Sequence, residues 1–306
     1  MEEKLLSVVL PAYNEEEMIE KAANTIADIL SKEKIEYELI FVDDGSKDST
    51  WEKICEAADR NDKVRGISFS RNFGKESAMF AGLSEAEGDC VAVLDCDLQH
   101  PPEKLVEMYR LWDQGYEVIE GVKSSRGNES AAHGFAAKTF YRIISKSTGV
   151  DMSRASDFKL LDRKAVLVLQ NLPERNAFFR ALSSWVGFKT AQISYDVRER
   201  EAGQSKWSTI SLTKYAMSNI TSFTSFPMQI VTFLGVFMLI LSVILTVISL
   251  VQYFSGTAAA GFTTVITLQC FTGSVIMIAL GIIGYYIAKI YNEVQGRPKY
   301  IIAKRK

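Results

Sequence analysis

Residues Val91 to Glu103 read VAVLDCDLQHPPE. A short apolar run enters Asp95-Cys96-Asp97, and two prolines close the segment. Continuous apolar runs of this length mark strands buried on both faces of a parallel sheet. A buried strand ends on two carboxylates one residue apart only where something holds them. Working outward, similar runs recur as LSVVLPA from Leu6, YELIFVDD from Tyr37, VRGISFS from Val64 and YEVIEGV from Tyr116. Helical patterns separate them over 15–31, 49–60, 75–86 and 102–114. Alternating strands and helices predict an α/β fold with a mostly parallel sheet between helices. Ligands of such sheets sit beyond the carboxyl ends of the strands. Those ends carry Pro11 to Glu15, Asp43 to Ser46, Ser70 to Asn72 and Asp95 to Asp97, all expected on one edge.

Strand alternation would place Asp95 and Asp97 on one side, where two charged carboxylates repel. A hard divalent cation, Mg²⁺ or Mn²⁺, resolves that repulsion, and Gln99 adds a third oxygen. The alternative is a solvated loop in which Asp97 caps a turn. Asp43 and Asp44 suit a ribose hydroxyl or a nucleobase N–H. A local reading also fits there, with Gly45 permitting a turn and Asp48 capping the next helix. Neither GxGxxG nor GxxxxGK[ST] occurs, against dinucleotide and P-loop phosphate sites. His100, between Gln99 and the prolines, reads as structural.

From Tyr215 to Ala288 the chain has no Asp, Glu, Lys, Arg or His. A membrane span takes about 20 apolar residues, so this stretch holds two. The organisation expected is a catalytic domain over 1–205, an interfacial amphipathic helix over 206–227, and a transmembrane hairpin over 228–290. The spans fall at about 228–254 and 262–288, and a basic tail follows over 291–306. Lys206 and Lys214 precede the hairpin, Lys289 and Arg297 follow it, and its turn has no positive residue. The positive-inside rule then puts both termini in the cytoplasm, at the inner (plasma) membrane. No signal peptide is evident, and the four cysteines lack metal-site or redox spacing. Basic residues gathered after the last span suggest contact with anionic lipid, not nucleic acid. Gly235, Gly273, Gly281 and Gly284 would permit close helix packing and a homo-oligomer.

Five segments occur in order: VVLPAYNEE, FVDDGSKDST, SRNFGKESAMFAGLSEAEGD, VLDCDLQHPPE and DFKLLDRKAV. Together they resemble the motif set of family-2 glycosyltransferases with the GT-A fold. The similarity is to the polyprenyl-phosphate branch, which includes dolichyl-phosphate mannose synthases and bactoprenol glucosyltransferases. It implies that Pro11, Tyr13, Glu15, Asp43 and Asp44 hold the nucleoside of a UDP-sugar. Asp95 would contact ribose or metal, with Asp97 and Gln99 on a Mg²⁺ or Mn²⁺ ion. Asp157 matches the acceptor-side acid, an orienting residue first and a base second, with an ion pair to Arg154 as the bland alternative. An acceptor polyprenyl phosphate also needs cations, and Lys123, Arg126, Arg198, Arg200 and Lys206 flank the site. Arg126 joins Asp97 and Asp157 as the catalytic candidates. QSKW at Gln204 departs from the signature of processive synthases, so one hexose is expected to move. Other donor sugars, another lipid acceptor and a non-catalytic nucleotide-sugar-binding scaffold are the rival readings.

Overall fold

The computed structural model describes residues 4–124, 156–174, 178–196, 226–256 and 261–306. Two compact units form: Met1–Thr213 with Arg297–Lys306, and Lys214–Gly296. The first is built on β1 (Leu5–Ala12), α1 (Ile19–Lys32), β2 (Glu36–Asp43), α2 (Thr50–Arg60), β3 (Val64–Phe69) and α3 (Lys75–Glu85). It continues with β4 (Cys90–Val93), α4 (Lys104–Asp113), β5 (Val118–Lys123), β6 (Lys159–Asp162), α5 (Arg163–Gln170), α6 (Phe179–Trp185) and β7 (Thr190–Tyr195). An eight-stranded sheet orders them β7-β5-β6-β4-β1-β2-β3, and the last strand, β8 (Ile302–Arg305), covers the β3 edge. β1 to β4 run parallel to one another, as do β5 and β7. β6 and β8 run antiparallel to their neighbours.

The apolar runs need cover on both faces, and they receive it. Leu6, Val8 and Leu10 of β1 are buried in one cluster with Ile19, Ile26 and Leu30, which recur along α1 at helical spacing. On the other face α3 lies so close to β1 that a Cβ on Gly82 would sit 2.1 Å from Val9. Between β5 and β6 the sheet encloses an ion pair. Lys159 Nζ lies 2.7 Å from Glu120 Oε1, with Lys159 fully buried. Ser184 and Gln192 donate to the same carboxylate, and Lys159 also donates to Ser184. Buried charges persist when the remaining polar valences are filled in this way.

One expectation is corrected here. Residues 291–306 do not form a free basic tail. Gly66 and Lys306 exchange backbone hydrogen bonds of 3.0 and 2.9 Å, and Ser70 N–H donates to Ile301 O. The Tyr300 ring stacks on Phe69 at 5.1 Å. Arg305 pairs with Glu85 and Lys306 with Asp59, so these cations meet carboxylates of their own unit. An uncovered sheet edge offers unpaired donors and acceptors, and the returning chain takes them. Of the interfacial helix expected over 206–227, residues 206–225 fall outside the described residues.

The second unit holds α7 (Phe226–Phe254) and α8 (Phe262–Val294). Met228–Phe254 and Phe271–Val294 are long and apolar enough to cross a membrane, with mean hydropathies of 2.8 and 1.9. Phe233 is 72% exposed, Leu239 65% and Met277 69%. Core helices of a water-soluble protein would bury such side chains.

Candidate functional site

Because β1 to β4 are parallel, their carboxyl ends share one edge. β6 runs the other way, so its amino end arrives at the same edge and brings Ser156 and Asp157 with it. The β4–β6 ladder pairs Cys90 with Asp162 and ends with Val93 opposite Lys159. Asp95 and Asp157 lie just beyond that end of the ladder, two residues from the last pair.

Lys75, the first residue of α3, bridges them. Its Nζ lies 2.7 and 2.9 Å from the two Asp95 oxygens and 3.0 Å from Asp157 Oδ2. Arg180 forks onto Asp157, with Nε 3.1 Å from Oδ1 and Nη2 3.0 Å from Oδ2. Glu76 accepts the Phe179 N–H at 2.8 Å, which holds the start of α6 beside α3. A cation in the first helical turn opposes the helix dipole, so Lys75 depends on these carboxylates. Burial alone would raise both carboxyl pKa values. At Asp95 the Lys75 charge and hydrogen bond together with His100 outweigh it, and at Asp157 Arg180 with Lys75 does so further, leaving both below the usual carboxylate range. In turn, burial would lower the Lys75 pKa, but Asp95 and Asp157 carry it well above its ordinary value.

β4 stops at Val93 and Leu98 takes a φ of +55°, so strand alternation does not govern Asp95 and Asp97. Asp97 is buried, and its Oδ1 accepts the Gln99 N–H at 3.1 Å. It therefore caps a turn, as the local alternative held, but away from solvent. Beneath Asp95 lies His100, stacked on Phe158 at 5.3 Å and edge-on to Tyr195 at 5.4 Å. Burial pushes its imidazole pKa down despite Asp95, which suits a neutral, structural ring.

At the β2 end, Asp43 accepts the Ser46 N–H at 2.9 Å and the Ser68 hydroxyl at 2.6 Å. Asp44 accepts the N–H groups of Phe73 at 2.6 Å and Gly74 at 2.9 Å. Burial, joined by Asp43, pushes the Asp44 pKa up to about 6 against those hydrogen bonds. Gly45 has φ +65°, and a Cβ there would lie 2.4 Å from the Arg71 carbonyl carbon. The β1 loop is stitched to this turn. Asn14 N–H donates to Ser46 Oγ, Asn14 Oδ1 accepts the Lys47 N–H, and Glu15 N–H donates to Thr50 Oγ1. Pro11 is buried opposite Val42, and Tyr13 is half-buried. Asp48 accepts both the N–H and the hydroxyl of Thr50, at the start of α2.

Pro11, Tyr13, Glu15, Asp43, Asp44, Asp95, Asp97, Gln99 and Asp157 thus belong to one sheet edge, and Lys123 closes β5 on the same side. Arg126, Arg154, Arg198, Arg200 and Lys206 lie outside the described residues. Sequence reasoning missed Lys75 and Arg180. The one available signal was a lysine opening a predicted helix within the FGKE motif. Asp95 and Asp97 offer the oxygen donors that Mg²⁺ and Mn²⁺ take. Among the described residues no three His, Cys, Asp or Glu side chains cluster as a metal site. A hard cation would accordingly use one or two carboxylates and draw its other ligands from phosphate oxygens and water, a donor set that Mg²⁺ commonly accepts.

The description "Glycosyl transferase family 2" fits residues 7–167, a stretch that includes Lys75, Asp95 and Asp157. A bactoprenol glucosyl transferase of Shigella flexneri, derived from prophage SfII, is 36% identical over 301 residues, covering 98% of this chain and 97% of that one. The bactoprenol glucosyl transferase of Shigella phage SfV is also 36% identical, over 98% of this chain and 99% of its own. An uncharacterized glycosyltransferase of Bacillus subtilis is 37% identical over 97% of this chain and 93% of its own. Among solved structures, glucosyl-3-phosphoglycerate synthase of Mycobacterium tuberculosis with Mg²⁺ and UDP gives a TM-score of 0.51 at 23% identity, over 71% of this chain and 76% of that one. Mannosyl-3-phosphoglycerate synthase of Rubrobacter xylanophilus gives 0.50 at 16%, over 72% and 73%. The structural likenesses show the GT-A fold. The match to the family and the end-to-end relatives show more: this chain belongs to glycosyl transferase family 2, and it is a glycosyltransferase.

Proposed function

We propose that the protein transfers one hexose, glucose foremost, from a UDP-sugar to polyprenyl phosphate, foremost undecaprenyl phosphate, on the cytoplasmic face of the membrane, with inversion and release of UDP. The observation that carries this reading is the 36% identity to bactoprenol glucosyl transferases over 98% of the chain, which extends through both apolar helices. Pro11, Tyr13, Glu15, Asp43 and Asp44 would hold the uridine, and Asp95, Asp97 and Gln99 the diphosphate with its cation. That cation, Mg²⁺ or Mn²⁺, would neutralise charge on the departing diphosphate. Lys123, Arg126, Arg198, Arg200 and Lys206 would receive the acceptor phosphate.

In the transfer, an acceptor phosphate oxygen forms a bond to the anomeric carbon. The bond to the UDP oxygen breaks, and its electron pair leaves with UDP. A phosphate monoester with a second pKa of about 6 is mostly dianionic at neutral pH, so no proton must be removed. Asp157, ionised between Lys75 and Arg180, is a weak base and serves to position these cations.

The test is a panel of UDP- and GDP-sugars with undecaprenyl phosphate, scored for nucleoside diphosphate release and for acid-labile glycolipid. Transfer from UDP-glucose supports the reading. Preference for N-acetylglucosamine, mannose or a modified pentose changes the sugar alone. An acid-stable product redirects the acceptor to another lipid, and UDP binding without turnover leaves a scaffold.

A further inference from the structure

Lys75 and Asp95 restrict one another. Both Asp95 oxygens face the Lys75 ammonium, at 2.7 and 2.9 Å. Mg²⁺ binds carboxylate oxygen at about 2.1 Å, which would set a doubly charged ion against that ammonium across one carboxylate. The two cations therefore compete for Asp95. Asp157, the other end of the bridge, has a second holder in the Arg180 fork, so Lys75 can leave without stranding it. The Lys75 side chain is 40% exposed. Its flexible stem lets the ammonium swing onto a nearby anion while α3 stays in place.

We propose that Lys75 competes with a divalent cation for Asp95, so that cation binding becomes conditional on a diphosphate that accepts the lysine's charge. This inference rests on the function proposed above. Lys75 is a positioning residue in this scheme: it sets which of two cations Asp95 holds. Linkage then requires UDP and the cation to favour one another reciprocally.

The experiment is a Mn²⁺ titration of the full chain in detergent, read by electron paramagnetic resonance, with and without UDP. Lys75→Gln is expected to raise UDP-free Mn²⁺ affinity by about tenfold and to shrink the further gain that UDP brings. Lys75→Met carries the same expectation and replaces it if the glutamine variant does not fold. Arg180→Gln removes equal charge from the Asp157 side alone and should leave UDP-free affinity within about threefold, which separates direct competition from a general field effect. Unchanged Mn²⁺ affinity in the folded Lys75 variant, with normal UDP binding, overturns the inference alone. So does an equal rise in Arg180→Gln. Failure of the wild type to bind UDP overturns the proposed function and the inference together.

Discussion

Asp95 and Asp157, each just beyond the paired residues of β4 and β6, share the single ammonium of Lys75. The antiparallel return of β6 creates this meeting, since a parallel strand would carry residue 157 to the far edge of the sheet. Segments 62 residues apart in sequence (95 and 157) thereby face each other across one cation. Arg180 then fixes Asp157 from a third segment.

Removing Asp97 should abolish transfer and spare the fold. Asp97→Ala is expected to lower kcat by about 10²–10³-fold, the range seen when one preorganised electrostatic group is lost. UDP release measures the rate and circular dichroism the fold. Turnover like the wild type with ample Mg²⁺ and Mn²⁺ would falsify the assignment.

The buried Lys159–Glu120 pair should behave asymmetrically. Truncating one partner strands the other charge, so Lys159→Ala should cost about 3–5 kcal/mol in denaturant unfolding of the solubilised chain. Lys159→Met combined with Glu120→Leu should recover most of that loss. A single variant as stable as the wild type would show that the charge is not stranded.

Asp44 predicts a pH dependence of stability. Folded Asp44 keeps its proton up to about pH 6, whereas an ordinary Asp carboxyl releases it near 3.8. Between those values the folded state binds more protons, so acidification adds stability through this group and rising pH removes it. His100 acts in the opposite sense. Burial lowers its pKa below 6.5, so the unfolded chain protonates first and acid lowers stability. Comparing the wild type with Asp44→Asn isolates Asp44. The difference in Tm should move in the wild type's favour as pH falls from about 7 to about 4.5, and a flat difference would count against the shift.

Deleting residues 299–306 should lower the Tm and promote aggregation. The Phe69–Tyr300 stack alone is worth about 0.5–1.5 kcal/mol, and the deletion also uncovers the β3 edge. Scanning fluorimetry with light scattering gives both readings. A truncated protein that melts and stays dispersed like the wild type would mean that β8 contributes nothing.

β1 to β5 and α1 to α4 were legible because burial on both faces leaves unbroken apolar runs, while the helices keep a polar face and a 3.6-residue rhythm. β8 was not. Ile302 to Arg305 is short and half basic, and Arg305 and the adjoining Lys306 are balanced by Glu85 and Asp59, far away in sequence. β6, only Lys159 to Asp162, carries a lysine at a fully buried position, which polarity alone argues against. The site divides along the same line. Carboxylates at strand ends announce themselves through the strands they close, whereas Lys75 and Arg180 matter because tertiary pairing brings them to Asp157. Local pattern carries no record of that pairing.

In chain order β8 comes after both apolar helices. During synthesis, the other seven strands of the described sheet and both apolar helices are made before the strand that seals the sheet. The nascent enzyme therefore passes through a stage with a raw β3 margin, a window in which a chaperone or a second nascent chain can pair with it. Completion of the catalytic unit thus follows the making of both apolar helices.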